Sequence, residues 1–347
     1  MLKSKKARSA YWDNLKGILI LLVVGGHLCE RYIDDSSLLV HIWILVYSFH
    51  MPLFIFVNGY FAQKSSSPAE YKSLKMLKYY ILMQFLFVMG DYLIRDQEFK
   101  FSILADPAYC CWYLIFLVYA YLFVKILPKE NHRKVKWLLG SVLASLAIGF
   151  DVSVGHAYGV GRTFYFLPYF FLGALWADTG KELKSSRAKK GICILAAIVI
   201  FAVLWRLGSV EWFNRSVFAG HKSYEALYPG HPVFALFNKA AAYVTAILLG
   251  GIVLNLIPRR KTFFCFLGQH TLLIYLVHIF VFPMEFHLIR NLQFTGIKEL
   301  NSAIILLILL VSAAGICYIL FMAYQMILRD IIDKIKKRDF LKGEKLR

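Results

Sequence analysis

The sequence predicts an all-α, polytopic membrane protein of about ten transmembrane helices, and three observations predict it. Hydrophobic residues make up 59% of the chain, aromatics 16%, and the mean hydropathy is +0.58, well above the balance of a soluble domain. Apolar runs of about 17–25 residues, the length of helix that crosses a bilayer, recur along the whole chain. The formal net charge of +19 is gathered in alternate connections between those runs.

Taken in order, the expected spans cover residues 12–30, 38–61, 74–94, 108–127, 136–152, 163–178, 189–207, 237–257, 263–283 and 302–327. The first, "WDNLKGILILLVVGGHLCE", carries Asp13, Lys16, His27 and Glu30, and the second carries His50 and Asn58 in "SFHMPLFIFVNGYF". The third closes at Asp91, the fourth opens at Trp112 and Tyr113, the fifth closes at Asp151 and the sixth opens at Arg162. A connection over residues 208–236, containing "HKSYEALYPGHP", separates the seventh and eighth and would form a short cap. The ninth holds His278 in "CFLGQHTLLIYLVHIF". No appended soluble domain is expected; residues 1–347 read as one membrane domain with a core over about 10–330.

With the N-terminus in the cytoplasm, Lys3, Lys5, Lys6, Arg8, the basic runs within 125–136, 181–190 and 259–261, and the tail from Arg329 all fall inside. The outside connections are much poorer in Lys and Arg, which is the asymmetry of the positive-inside rule and places both termini in the cytoplasm. The charge therefore reads as topology, with attraction to anionic membrane lipid and no nucleic-acid partner. The first run is too long, and lacks a small-residue cleavage site, for a removable signal peptide. The six cysteines are scattered without metal-ligand spacing and are read as packing residues.

Charge inside a bilayer is costly, so the first span calls for a reason. Residues 11 apart on a helix differ by about 20° after whole turns, so Lys16 and His27 share a face. Asp13 and Glu30 fall within about a quarter-turn of it. Lys16 lies near the cytoplasmic end, and His27 stands roughly 16 Å away along the axis. That spacing suits a donor with a phosphate-bearing head and a long thin arm, such as coenzyme A. Lys16 would meet phosphate as a point charge. His27, within reach of Glu30, would serve as a general base. The alternative is a buried Lys–Asp pair near the interface and one hydrogen-bonded core histidine.

Counted from the span ends, His27, His50 and His278 sit at similar depth in the outer half. A metal site is disfavoured, because no second histidine falls one turn from any of the three. Asp91, Trp112, Asp151 and Arg162 gather near the outer ends, where carboxylates, a guanidinium fork and aromatic rings would suit a polyhydroxy acceptor. Interfacial aromatics and end charges facing water account for the same residues.

These motifs together resemble the membrane-bound acyltransferase type 3 family, in particular its compact branch of fucose 4-O-acetylase-like proteins. Lys16 and His27 match a first-helix pattern of a basic residue, ten residues, then histidine, with Lys where Arg is commoner. "FHMPLFIFVNGY" matches "FHMPLFFF-x-SGY", with Asn58 in place of Ser; "CWYL", "RTFYFLPYFFLG" and "LGQHTLLIYLVH" match three further motifs in order. The resemblance spans about residues 10–330 and implies transfer of an acyl group, most often acetyl, from cytoplasmic acyl-CoA to a carbohydrate or glycolipid hydroxyl. It makes His27 the essential histidine and Glu30 an acidic residue of that branch, with Lys16 serving CoA or the organisation of the site. Relatives carry an Arg-rich motif after the second span where this chain has Lys72, Lys75 and Lys78.

The expected site is thus His27 and Glu30 for catalysis, and Lys16, Asp13, Lys75 and Lys78 for acyl-CoA. His50, Asn58, Trp112, Arg162 and His278 would form the acceptor or oxyanion pocket. Acetyl-CoA is expected as a donor substrate, with no permanently bound cofactor and no metal. The expected location is a bacterial cell membrane. A transporter or flippase of lipid-linked sugars is the rival, disfavoured by the absence of paired, Gly- or Pro-broken spans in corresponding halves.

Overall fold

The computed structural model describes residues 8–30, 33, 37–94, 106–153, 157–180 and 186–289, with scattered positions between 300 and 326. Eleven α-helices are defined within them: α1 Ala10–Glu30, α2 Ser37–Lys64, α3 Ala69–Ile94, α4 Cys111–Ile126, α5 Asn131–Ile148, α6 Val160–Asp178, α7 Arg187–Gly208, α8 Tyr224–Leu227, α9 Pro232–Leu256, α10 Phe263–Gln269 and α11 Thr271–Ile289. Helical positions recur between 300 and 326. No strand occurs among the described residues. The first nine expected spans each coincide with a helix or, for the ninth, with the pair α10–α11.

Four helices, α1, α2, α7 and α9, are long and apolar enough to cross a membrane, and a fifth crossing is reached if α10 and the first half of α11 count as one bent span. The bend between them is 82°. The basic segments 1–7, 181–185 and 327–347, on which much of the expected topology rests, lie outside the described residues. So does Cys317.

Local sequence explains where several helices begin. Ser186 caps α7 by accepting a hydrogen bond from the Lys189 amide, and Thr262 caps α10 by accepting one from Phe264. Pro232 stands in the first turn of α9, where its missing N–H costs nothing. α2 and α6 run through Pro52 and Pro168 without ending.

The four long spans differ in what they face. In α7, 11% of the apolar window is buried, and Ile194, Leu195, Ile198 and Val199 are all exposed, as suits a helix lying against lipid. In α1, 67% is buried. The span that carries the ionisable groups is therefore an interior one, as the cost of charge in hydrocarbon requires.

The chain divides into two compact units. One joins residues 1–39 to 258–347; the other is the continuous segment Val40–Ile257. In the first, α1 crosses α10 with glycine on both sides. A Cβ at Gly17 would strike the carbonyl of Phe264, and a Cβ at Gly268 would strike that of Asp13. The second unit repeats the device between α2 and α6. A side chain at Gly59 would meet the Phe170 carbonyl, and one at Gly173 that of Phe56. Between helices in lipid there is little hydrophobic gain, so close backbone approach at small residues supplies the packing energy.

Candidate active site

The discontinuous unit holds the polar face of α1. Near its start, Asp13 is 4% exposed and takes two cations. Lys16 Nζ stands 2.9 Å from one carboxylate oxygen, and the Arg8 guanidinium donates to both at 3.2 and 3.3 Å. Two positive groups on one carboxylate leave a net positive patch at this end of α1, with Arg8 largely exposed.

Asn14, one residue on, is fully buried. Its side-chain N–H groups donate to the carbonyls of Pro258 and Arg260, each at 2.8 Å. Its oxygen accepts from the Thr262 hydroxyl at 2.5 Å and the Cys265 thiol at 3.0 Å. Every hydrogen-bonding position of the amide is used, which fixes the beginning of α1 against the strap leading into α10. Asn14 was not singled out from sequence; an amide just inside an apolar span was the available signal.

Three turns further along α1, His27 Nδ1 lies 3.4 Å from a Glu30 carboxylate oxygen. The His27 side chain is 26% exposed and that of Glu30 is 51% exposed, so the pair opens to its surroundings. With Nδ1–H directed at the carboxylate, the Nε2 lone pair is the basic one. The His278 ring from α11 lies 5.6 Å from that of His27, tilted by 30°. His278 is fully buried, and its Nδ1–H donates to the Tyr275 and Ile274 carbonyls at 2.7 and 3.2 Å. The structure thus brings together two of the three histidines placed at one depth.

The remaining residues fall in the continuous unit. His50 is 3% exposed, with Nδ1 2.7 Å from the Val46 carbonyl, and its ring packs edge-on against Tyr47. Asn58 spends its amide hydrogens on the Phe54 carbonyl and the Tyr113 hydroxyl, at 2.8 and 2.6 Å, tying α2 to α4. Arg162 lies over the Trp112 ring at 4.8 Å, and Trp112 stacks on Phe166 at 5.1 Å. Arg162 also reaches the Ala219 carbonyl and His221. Its guanidinium therefore lies in a layer with two rings, and neither Phe166 nor His221 was singled out from sequence. Lys75 and Lys78 are exposed on α3, while Lys72 turns back to the Ala62 carbonyl. Asp91 accepts from the Tyr109 hydroxyl. Asp151, beyond the end of α5, is held below the usual carboxylate range by hydrogen bonds from the side chain and backbone of Ser153. Among the described residues no group of three or more His, Cys, Asp or Glu is arranged to hold a metal ion.

Chemically, the α1–α11 pair offers a carboxylate-oriented imidazole with a second, buried imidazole beside it, on a helix whose other end is cationic. That is the equipment of proton transfer near an anionic ligand.

Comparison with known proteins gives this geometry a context. No solved structure matches the chain. Two nodulation proteins NolL are similar to it. The one from Sinorhizobium fredii (strain NBRC 101917 / NGR234) is 26% identical over 307 residues, covering 80% of this chain and 79% of the relative. That from Mesorhizobium japonicum (strain LMG 29417 / CECT 9101 / MAFF 303099) is 24% identical over 330 residues, covering 86% and 82%. The family model described as an acyltransferase domain matches residues 9–322, from the positive patch of α1 through His27, Arg162 and His278. The chain belongs to this acyltransferase family, as the resemblance read from its motifs implied.

Proposed function

We propose that the protein is an integral-membrane O-acyltransferase that moves an acetyl group from cytoplasmic acetyl-CoA to a hydroxyl of a cell-surface or lipid-linked carbohydrate. The observation that carries this reading is the His27–Glu30 pair beside His278, on a helix whose other end is positive. In it, Nε2 of His27 takes the proton from the acceptor hydroxyl as that oxygen attacks the thioester carbonyl. Glu30 holds the Nδ1–H and stabilises the imidazolium. Collapse of the tetrahedral intermediate breaks the C–S bond, and the imidazolium returns its proton to the departing thiolate.

The donor's phosphates fall to Lys16 and Arg8, with Asp13 positioning both; Lys75 and Lys78 supply further positive charge. An oxyanion must be met by donors, for which His50 or a helix terminus are the candidates; Asn58, expected among them, has both amide hydrogens already spent on Phe54 and Tyr113. Arg162 and Trp112 are assigned to the acceptor, since a guanidinium and an indole face suit a polyol. The broken span α10–α11 is a device transporters use, but it has no counterpart in a corresponding half among the described residues. Membership of an acyltransferase family supports the enzyme over the transporter.

The test is transfer of radiolabelled acetyl from acetyl-CoA to a carbohydrate acceptor by the purified full-length chain. Replacing His27 by Ala should cost about 10²–10⁴-fold in rate while expression and membrane insertion stay intact. Glu30→Gln, which keeps a hydrogen bond to the ring, should be milder. A His27→Ala protein acetylating at near the native rate would disprove the mechanism.

A further inference from the structure

Within the continuous unit lies a cavity of about 550 Å³ that the proposed chemistry does not use. It is framed by Val40 and Ile44 at the start of α2, Gly208 at the end of α7, and the two connecting segments 211–216 and 227–231. Its walls are tied together. The Asn214 amide donates to the Tyr228 hydroxyl at 3.0 Å, its side chain donates to the Leu227 carbonyl at 2.9 Å and accepts from the Ser216 amide at 3.0 Å. Gly208 lets α7 close on α2, since a Cβ there would press on Ile44 and His41.

What faces the cavity is mixed in a particular way. Trp212 is 53% exposed, steadied edge-on by Phe234, which also meets the edge of Tyr228. Glu211 is exposed beside it, and the Arg215 guanidinium is held 5.9 Å from the Trp43 ring centre. His231 and Ser216 complete the polar lining. The volume falls inside the ordinary range of small-molecule sites, where rings supply area and a few polar groups fix orientation.

We infer that this cavity is a docking subsite for a carbohydrate, separate from the residues that carry the transfer. A pyranose offers an apolar C–H face to an indole and a rim of hydroxyls to a carboxylate and a guanidinium. A lipid chain would leave Glu211 and Arg215 desolvated, which is costly. An anionic ligand would meet Glu211 as a like charge. Opposite charges lining one cavity with an exposed aromatic ring select a neutral polyol. The start of α2 and the end of α7 meet at this cavity, and the charge asymmetry of the sequence assigns both to the outer face. The inference rests on the reading of a carbohydrate acceptor and makes the 208–236 connection the part that captures it.

The experiment is saturation-transfer NMR on the detergent-purified full chain, with methyl glycosides of glucose, galactose, N-acetylglucosamine and fucose as probes and mannitol as an acyclic control. At least one glycoside should receive saturation at its ring C–H protons, and mannitol should not. Trp212→Ala should cut that signal about threefold to tenfold, the size of a lost ring contact. Glu211→Gln, which alters no packed surface, should weaken it as well. Absence of signal from every glycoside, or signal unchanged in both variants, overturns the subsite, and Trp212 is then an anchor at the membrane interface. In the acetyl-transfer assay Trp212→Ala should raise the acceptor KM and leave the acetyl-CoA KM unchanged. Glycoside binding lost in the variants of a protein that transfers no acetyl group would keep the subsite and sink the acyltransferase reading. Normal acceptor KM in an active Trp212→Ala protein would do the reverse.

Discussion

At the scale of single residues, Asn14 shows how much one side chain can hold. Replacing it by Leu keeps roughly the bulk but abandons two carbonyls that it meets at 2.8 Å. A buried polar group left unpaired costs about 1–3 kcal/mol, a large share of the usual margin of stability. Asn14→Leu should therefore lower the melting temperature of the detergent-solubilised protein clearly, and Asn14→Asp, whose carboxylate cannot donate to either carbonyl, at least as much; an unchanged melting temperature would mean that water replaces the amide. Asn14 also marks a limit of reading from sequence. Helical periodicity placed Lys16 and His27 on one face, because that inference needs only the turn of a helix. It gave no hint that Asn14 meets residues 244 to 251 positions later, since such partners are set by tertiary packing. The nearness of His27 and His278 was half legible: equal depth followed from counting, but ring contact depends on how α11 packs.

Among the helices, the crossing of α1 and α10 gives the sharpest expectation. Gly268→Ala puts a methyl group into the Asp13 carbonyl, whereas a Cβ at Gly90 of α3 meets nothing within 4 Å. The two substitutions are chemically identical. Gly268→Ala should sharply reduce the monodisperse yield in size-exclusion chromatography, and Gly90→Ala should leave it level or improve it, Ala being worth up to about 1 kcal/mol over Gly in a helix. Equal yields from both would show that the crossing is not tight. Nearly all the helices were legible, because runs of apolar residues with basic ends announce themselves. The break at His270 was not, although the polar run over 268–271 inside an otherwise apolar stretch stands where the 82° bend falls.

For the whole molecule, the question is from which side each substrate arrives. The positive-inside reading puts Lys16 near the cytoplasm and His27 in the outer half. Sealed vesicles of known orientation, with labelled acetyl-CoA on the cytoplasmic face and an impermeant acceptor on the other, should support transfer. Product only when both share the cytoplasmic face would refute the through-membrane route and leave the chemistry standing. That the chain is helical, with helices long and apolar enough to cross a membrane, was legible from composition and the recurring apolar runs; the partition into a discontinuous and a continuous unit was not, because it depends on which helices pack. That partition bears on biogenesis. α1 is made well before its partners, since the carbonyls that satisfy Asn14 belong to Pro258 and Arg260. At about 5–20 residues per second, synthesis of the intervening segment takes on the order of tens of seconds. Through that time α1 waits in the translocation machinery or the bilayer with its amide unanswered. A chain cut short before residue 258 therefore lacks every partner that locks the start of α1 in the finished protein.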